Sequence, residues 1–326
     1  MSSEIIFRIG DRKPSTLDDE YGPESVVSKQ LGSYCIVGAS VRGKMHAYYK
    51  DAPRDDAFAA QSDGTWLVVA VADGAGSCSR SRYGASYCVN ALCTNLLNIT
   101  ARLQRPEIPV PALTDHSLDR RESDSGEFPP DIENSDSIVQ EPSVLKEAMD
   151  KAFRSTRRSL KRFAIKQKIK LDELHSTLLG LILNTKTGEI GIGQIGDGLI
   201  LGLNNEREAI PLAEPPIADE PGASYFLTQS DWKQYFDSKH ITGEEAAHFN
   251  TFYLMTDGVA NDCQYGPPDD VLKRWANDMN REIRLIPSLE TTAERLRNYL
   301  GTYQAKGSFD DRTLVVIYKG DGDRIQ

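Results

Sequence analysis

Runs of apolar residues, separated by short polar stretches, divide the chain into predicted strands and helices. The clearest run extends from Leu67 to Ala72 and is almost unbroken, as in a strand buried on both faces. Turn signals at Asp63-Gly64 and Thr187-Gly188 join neighbouring runs as hairpins. Similar runs predict strands over residues 33–40, 57–60, 176–184, 190–195, 199–203, 252–255 and 313–318.

Apolar residues that recur every three or four positions predict four helices, over residues 82–99, 144–170, 270–279 and 288–300. The helix over 144–170 also carries many Arg and Lys residues away from its apolar face. The chain is acidic overall and no aromatic residues are interleaved with these cations, so the pattern argues against nucleic-acid binding. A solvated face and a docking surface for an acidic partner remain as the two interpretations.

Composition changes mark the predicted domain organisation. We predict a polar surface arm over residues 1–30 and one domain over residues 31–320. Prolines among Ser, Asp and Glu predict an exposed insertion over 101–143, and a linker between two domains is the competing interpretation. The long polar stretch over 204–250, with several aromatic residues, suggests a flap beside a site.

The overall charge and the cysteine pattern exclude several classes of protein. The 326 residues carry a formal net charge of -10, which opposes binding to nucleic acid or to an anionic membrane. No apolar run approaches the ~20 residues of a membrane helix. The five scattered cysteines contain no CxxC pair, which argues against a disulfide framework or a structural zinc site. We expect a cytoplasmic monomer.

Aspartates stand at the ends of several predicted strands, often beside glycine. A compact fold would gather them at one sheet edge, although each alone would be a turn residue. Carboxylates without thiolates and with little histidine favour Mg²⁺ or Mn²⁺. Two such ions, ~3.5–4 Å apart, can activate a water for attack on phosphorus, which indicates phosphoester hydrolysis. The aspartates are Asp55, Asp56, Asp73, Asp197, Asp257 and Asp310.

The order of these motifs resembles the type 2C metal-dependent serine/threonine protein phosphatases, and looks most like their bacterial branch. The resemblance spans about residues 32–318. It implies an α+β fold, a four-layer α/β/β/α sandwich: two antiparallel β-sheets packed face to face, flanked by helix pairs, with a metal cleft at the sheet edge. The motifs are Asp55-Asp56-Ala57-Phe58, Asp73-Gly74-Ala75-Gly76-Ser77, Gly196-Asp197-Gly198, Thr256-Asp257-Gly258 and Asp310-Asp311-Arg312-Thr313.

The resemblance also implies roles for single residues. Asp73 would bridge two Mn²⁺ or Mg²⁺ ions, the Gly74 carbonyl would be a ligand, and Asp257 and Asp310 would complete the centre. Asp55 or Asp56 would contribute directly or through water, and Asp197 would help to hold a third ion. The implied reaction is direct hydrolysis of phosphoserine or phosphothreonine on proteins, with no phosphoenzyme. The implied partners are a phosphorylated protein substrate and a cognate serine/threonine kinase system.

This chain departs from the family's pattern at the residue that would protonate the leaving alkoxide. Many members have His directly after the first Asp-Gly, whereas this chain has Ala75. His46 and His175 are the candidate general acids, and a metal-bound water is the alternative.

The residue that would anchor the substrate phosphate also lacks a clean match. The family places an Arg shortly before the acidic pair, and we select Lys50 among the nearby cations Arg42, Lys44, Lys50 and Arg54. Asp311 stands where many members have Asn, which keeps a hydrogen-bond acceptor and adds charge.

Three other functions compete with a phosphatase. A phosphoprotein-binding pseudophosphatase or regulatory module would keep the fold, but the retained acids argue against it. A nucleotide-binding loop at 74–77 lacks the GxxxxGK[ST] pattern. An aspartyl-phosphate phosphatase would need a DxD motif where Asp73 is followed by Gly74-Ala75.

Overall fold

The computed structural model describes residues 4–48, 53–103, 143–216, 223–264, 268–305 and 308–320. Its strands are β1 Phe7–Gly10, β2 Glu24–Leu31, β3 Tyr34–Val41, β4 Ala57–Ser62, β5 Trp66–Ala72, β6 Leu178–Asn184, β7 Ile190–Ile195, β8 Leu199–Asn204, β9 Ala209–Pro211, β10 Asp237–Ile241, β11 Phe249–Met255 and β12 Arg312–Lys319. In these ranges they form two six-stranded antiparallel sheets. Sheet A has the order β1-β4-β5-β6-β7-β10, and sheet B has the order β2-β3-β12-β11-β8-β9.

Helices cover the outer faces of both sheets. The helices are α1 Lys44–Tyr48, α2 Ser81–Leu103, α3 Val144–Gln167, α4 Gly243–Ala246, α5 Asp257–Ala260, α6 Pro268–Leu285 and α7 Leu289–Thr302. Short 3-10 turns occupy Leu171–Leu174, Trp232–Tyr235 and Asp262–Gln264. The four helices predicted from the apolar period are confirmed as α2, α3, α6 and α7. Among the helices of the described ranges, none has the length and apolar character needed to cross a bilayer.

Alternating side chains of β5 explain why its apolar run is unbroken. Leu67, Val69 and Val71 point into the core between the two sheets. Val68 and Ala70 point the other way, into the core under α2 and α3. Because both faces of the strand are covered, both must be apolar.

The strands of sheet B are also covered on both faces. Phe252 and Leu254 of β11 join the core between the sheets, whereas Tyr253 and Met255 pack beneath α6 and α7. The result is four layers, α2 and α3, sheet A, sheet B, then α6 and α7. The expected α+β sandwich of two antiparallel sheets is thus confirmed.

Two predicted segments contain edge strands. Within residues 1–30, the predicted surface arm, β1 pairs with β4 at one edge of sheet A and β2 pairs with β3 at one edge of sheet B. The stretch 204–250, where we suggested a flap, contains the paired edge strands β9 and β10. The proposed insertion over 101–143 lies outside the described residues, except for the end of α2 and for Ser143, which caps α3.

Candidate functional site

Aspartates of sheet A meet at one end of the sandwich. β4 begins directly after Asp56, and β5 ends directly before Asp73. The first residue of β4 pairs with the last residue of β5, so the two acids lie on neighbouring strands at the same end. The backbone is tightly packed there, because a Cβ added to Gly74 would lie 2.8 Å from the Asp55 carbonyl oxygen.

Sheet B brings its acids to the same end by the same antiparallel geometry. Asp257 follows β11, the pair Asp310-Asp311 precedes β12, and Asp197 precedes β8. Met255 ends β11 and pairs with the first residue of β8 and the third residue of β12. The three acidic turns therefore lie side by side.

Asp73 is a carboxylate surrounded by other acids. Its backbone N–H donates to Thr177 Oγ1 at 2.8 Å, and its carbonyl accepts from the Thr177 N–H at 2.9 Å. Burial, followed by the charges of Asp56, Asp257 and Asp310, raises the pKa of Asp73 well above its usual range. Without a counter-charge, this site therefore opposes ionisation of its own carboxylates.

Asp56 is held by a network of hydroxyl groups that sequence reasoning missed. Thr256 Oγ1 and Thr313 Oγ1 donate to Asp56 Oδ2 at 2.8 and 2.7 Å. Ser40 Oγ lies 2.5 Å from Thr313 Oγ1 and extends the network. Burial, followed by the neighbouring carboxylates, raises the pKa of Asp56 well above its usual range. Thr256 and Thr313 belong to the strand-end motifs, but only the packing of sheet A on sheet B brings them to Asp56.

Asp257 carries an unsatisfied oxygen. Its Oδ1 is buried and has no hydrogen-bond partner in the described structure. Burial, followed by the charges of Asp197 and Asp310, raises the pKa of Asp257 to about 7. Asp197 is exposed and accepts a hydrogen bond from Ser224 Oγ at 2.8 Å. The buried, unpartnered Oδ1 of Asp257 therefore requires a proton or a cation.

His46, a candidate general acid, lies between two of the acids. Its Nδ1 is 3.0 Å from Asp311 Oδ1 and its Nε2 is 3.4 Å from Asp55 Oδ2. The hydrogen bond to Asp311 raises the pKa of His46. Burial raises the pKa of Asp55 to about 6, although Arg82 and His46 oppose the shift.

Asp311 is a structural centre of the site. It accepts hydrogen bonds from the backbone N–H groups of Gly43 and Asp55, each at 2.6 Å. Burial acts to raise the pKa of Asp311, but the hydrogen bond with His46 and those from the backbone lower it overall. Many family members have Asn at this position. The charge of Asp311 strengthens its hydrogen bonds, which hold together the chain segments that contain Gly43, Asp55 and Asp311 itself.

The expected phosphate anchor is not among the described residues. Lys50 falls in 49–52, outside the described ranges. Of the other candidates, Arg54 is 2 % exposed and pairs with Asp11, and Lys44 binds the exposed side chain of Gln304. The charge of Arg54 is therefore already paired, whereas the neutral amide of Gln304 leaves the charge of Lys44 unneutralised.

Arg82 is a nearer cation that sequence reasoning missed. It lies in the first turn of α2, and its Nε is 3.2 Å from Asp55 Oδ1. The Nε atom is buried and makes no hydrogen bond in the described structure. The basic residues at 80–82, just after the loop at 74–77 that we call the glycine loop, were the available signal in the sequence.

His175, the other candidate acid, takes part in a different contact. Its Nδ1 is 2.5 Å from Thr228 Oγ1, and its ring stacks on Phe226 with centroids 5.0 Å apart. Burial lowers its pKa. Only its backbone carbonyl reaches the glycine loop, where it accepts from the Ala75 N–H at 3.1 Å.

The donor set fits a hard divalent cation. The acidic groups that meet there are carboxylates, and the unpartnered Asp257 Oδ1 lacks a counter-charge. In the described ranges, no three His, Cys, Asp or Glu side chains are placed so that they could hold a metal ion. Because unscreened carboxylates repel one another, we expect them to close only around a bound cation.

Gly258 permits the close approach of α5 to the acidic turn before β12. A Cβ at Gly258 would overlap the Asp311 carbonyl oxygen, whereas a Cβ at Gly76 would meet no atom within 4 Å. We predict that Gly258→Ala lowers the free energy of unfolding by about 1–3 kcal/mol, as overpacking does. Chemical denaturation measures it, with Gly76→Ala as control, and equal stability of the two variants would contradict the prediction.

The four-layer fold with this acidic end defines a protein phosphatase. The chain belongs to the protein phosphatase 2C family, whose model matches residues 42–301. A serine-threonine phosphatase 2C from Toxoplasma gondii is similar in structure, with 12% sequence identity, a TM-score of 0.56 and coverage of 91% of this chain and 99% of that chain.

A C. elegans sex determining protein is also similar, with 13% identity and a TM-score of 0.53. The alignment covers 89% of this chain but 66% of the nematode chain. At these identities, the likeness is one of fold. A comparison with curated proteins gives no match.

Proposed function

We propose that this protein hydrolyses phosphoserine and phosphothreonine in protein substrates, in a reaction that depends on Mn²⁺ or Mg²⁺. The observation that carries the proposal is the buried, unpartnered Asp257 Oδ1 beside Asp73 and Asp310, in a family that is metal-dependent. Asp73, Asp257, Asp310 and the Gly74 carbonyl would hold two ions. Asp197, at the exposed side of the cluster, would help to hold a third.

The bound cations would supply positive charge for the phosphoryl oxygens and lower the pKa of the attacking water. The protein's own residues orient the reactants. The hydroxyl network fixes the carboxylate of Asp56, and Asp311 fixes the backbone of Asp55, so the acidic pair keeps its position as charge changes. The reaction would be a direct displacement, with no phosphoenzyme.

Two basic side chains would act on the substrate, one as the phosphate anchor and one as the proton donor. Arg82 lies beside Asp55 and its side chain is 20% exposed, so the guanidinium group would bind a phosphoryl oxygen of the substrate. The hydrogen bond with Asp311 raises the pKa of His46, which favours its protonated form. We assign to its Nε2 the proton that the leaving serine or threonine oxygen takes. Lys50 remains a second hypothesis for the phosphate anchor.

Hydrolysis of a phosphothreonine peptide tests the proposal. Protein treated with a chelator should show no turnover, and added Mn²⁺ or Mg²⁺ should restore it. Turnover without metal would contradict the proposal. Metal-dependent binding of the peptide with no turnover would instead support a pseudophosphatase.

We predict opposite effects of pH and metal on stability. Asp55 and Asp257 have folded-state pKa values of about 6 and about 7, above the unfolded value of 3.8, so their ionisation opposes folding. The raised pKa of His46 acts in the same direction above its unfolded value of 6.5. The stability of the metal-free protein should therefore fall as pH rises from about 4 to 8.

Bound Mn²⁺ should reverse this trend, because it competes with protons for the carboxylates. At about 100 times its Kd, a ligand stabilises the folded state by about 2.7 kcal/mol. Thermal unfolding at several pH values measures both effects, and Asp257→Asn should weaken both. A metal-induced shift in Tm that shrinks as pH rises would contradict the prediction.

The kinase that opposes this enzyme, the cytoplasmic location and the monomeric state remain predictions from the sequence.

A further inference from the structure

The C-terminal half of α3 and the residues that follow it up to 170 expose a row of positive charges that the proposed site does not use. In the N-terminal half, Lys151 pairs with Glu147 and Arg154 pairs with Asp150. Residues 155–170 contain no acidic residue. In the described ranges, none of the exposed cations of this half has an ion-pair partner. We call the following residues the basic strip: Arg158, Lys161, Arg162, Lys166, Lys168 and Lys170.

The spacing of the basic strip is unfavourable for an isolated helix. Arg158, Arg162 and Lys166 stand at successive i, i+4 positions, where like charges destabilise a helix by about 0.2–0.5 kcal/mol per pair. The negative end of the helix dipole stabilises cations only in the last turn, which covers Lys166 but not Arg158. An anionic partner would remove the remaining repulsion.

An exposed apolar residue lies within the basic strip. Ile165 is 67% exposed, one turn from Lys161 and Arg162. A large apolar side chain ringed by cations can pack against a partner while the charges pair around it.

The basic strip is rigidly joined to the candidate site. After Lys170, the chain makes one 3-10 turn and reaches Ser176, which forms an antiparallel bridge with Gly74. Arg157, on the same helix, donates hydrogen bonds to the carbonyls of Leu227 and Thr228, and the Leu227 N–H donates to the Ser176 carbonyl. The C-terminal end of the basic strip therefore lies close to the loop at 74–77, where Cys78 Sγ is 3.3 Å from the Asp172 carbonyl oxygen.

We propose that the basic strip binds an acidic segment of the protein substrate, next to the phosphorylated residue. This inference rests on the proposed function, since it adds substrate selectivity to the same site. A polypeptide fits better than nucleic acid or a membrane, because the strip is one helix wide and Asp172 and Glu173 follow it directly. The net charge of -10 would also repel an extended anionic surface.

The test compares two phosphothreonine peptides, one with Asp and Glu flanks and one with Ser and Gly flanks, together with p-nitrophenyl phosphate. The variant is Arg158→Glu/Arg162→Glu. We expect KM for the acidic peptide to rise about tenfold, with kcat little changed, because rim charges act mainly on encounter and binding. Turnover of the neutral peptide and of p-nitrophenyl phosphate should stay the same.

Arg274→Glu/Arg295→Glu is the matched control. These two exposed arginines lie on α6 and α7, on the opposite side of the sandwich, and the change in net charge is identical. An equal rise of KM in both variants, or for both peptides, would overturn the proposal. Thermal unfolding checks that each variant is folded.

A binding measurement separates this inference from the proposed function. Fluorescence anisotropy of an unphosphorylated acidic peptide should show binding that the strip variant weakens, whether or not any phosphoester is hydrolysed. Absence of turnover by the Mn²⁺-loaded wild type would contradict only the proposed function. Tighter binding of RNA or of anionic vesicles than of the acidic peptide would overturn the docking proposal.

Discussion

Asp73→Asn should abolish metal-dependent phosphatase activity while leaving the fold intact. Asn has nearly the shape of Asp, and the hydrogen bonds with Thr177 involve the backbone of residue 73, so the local structure should persist. The substitution removes the charge that would be shared between two cations. Residues that only support metal ligands contribute about 10–100-fold to activity, so we expect the loss here to exceed about 100-fold.

The thermal stability of the metal-free Asp73→Asn variant provides a second test. Burial and the charges of neighbouring acids oppose ionisation of Asp73, so Asp73→Asn should unfold at the same temperature as wild type or higher. The stabilisation by Mn²⁺ should disappear. Asp63→Asn is the control, because it changes an Asp-Gly turn at the other end of β5. Equal kcat/KM and equal metal stabilisation in wild type and Asp73→Asn would refute the role of Asp73.

Asp11→Ala should lower the free energy of unfolding by about 3–5 kcal/mol, the range for breaking a buried ion pair. Asp11 Oδ1 pairs with Arg54 at 2.5 Å, and Asp11 Oδ2 accepts the Phe58 N–H at 3.0 Å. The Arg54 side chain is buried, and its Nε and Nη1 already lack hydrogen-bond partners in the described structure. Removal of Asp11 would leave a buried charge with no counter-charge.

The double variant Asp11→Ala/Arg54→Met isolates the cause of this destabilisation. It removes both charges, so it should be more stable than Asp11→Ala alone. Asp18→Ala, an exposed acid in the same segment, should change stability by less than about 0.5 kcal/mol. Urea denaturation measures all three variants. If the double variant were the least stable, packing rather than charge would explain the result.

The segment that contains Asp11 forms strands that the sequence pattern did not predict. Residues 1–30 have a polar and irregular composition, yet β1 and β2 are edge strands in different sheets. Edge strands bury less surface than central ones, so their sequences carry a weak apolar signal. The ion pair between Asp11 and Arg54 joins residues 43 positions apart, and no local pattern indicates it.

The site shows a similar division. The candidate ligands were visible because a strand end places an aspartate on a rigid element, and Asp-Gly repeats mark several such ends. The residues that support these ligands could not be predicted from the sequence. Thr313 reaches Asp56 over 257 positions, and Arg82 reaches Asp55 only because α2 begins beside it.

The sequence by itself determined the central strands, the four long helices, the family and the identity of the acids. These features depend on local periodicity and on short motifs, which neighbouring residues encode. Only the tertiary structure decided which acids lie together, that Asp311 and His46 brace the site, and that the basic strip joins the Gly74 loop. Those relations arise from antiparallel register and from the packing of two sheets. Both depend on contacts between residues that are distant in the chain.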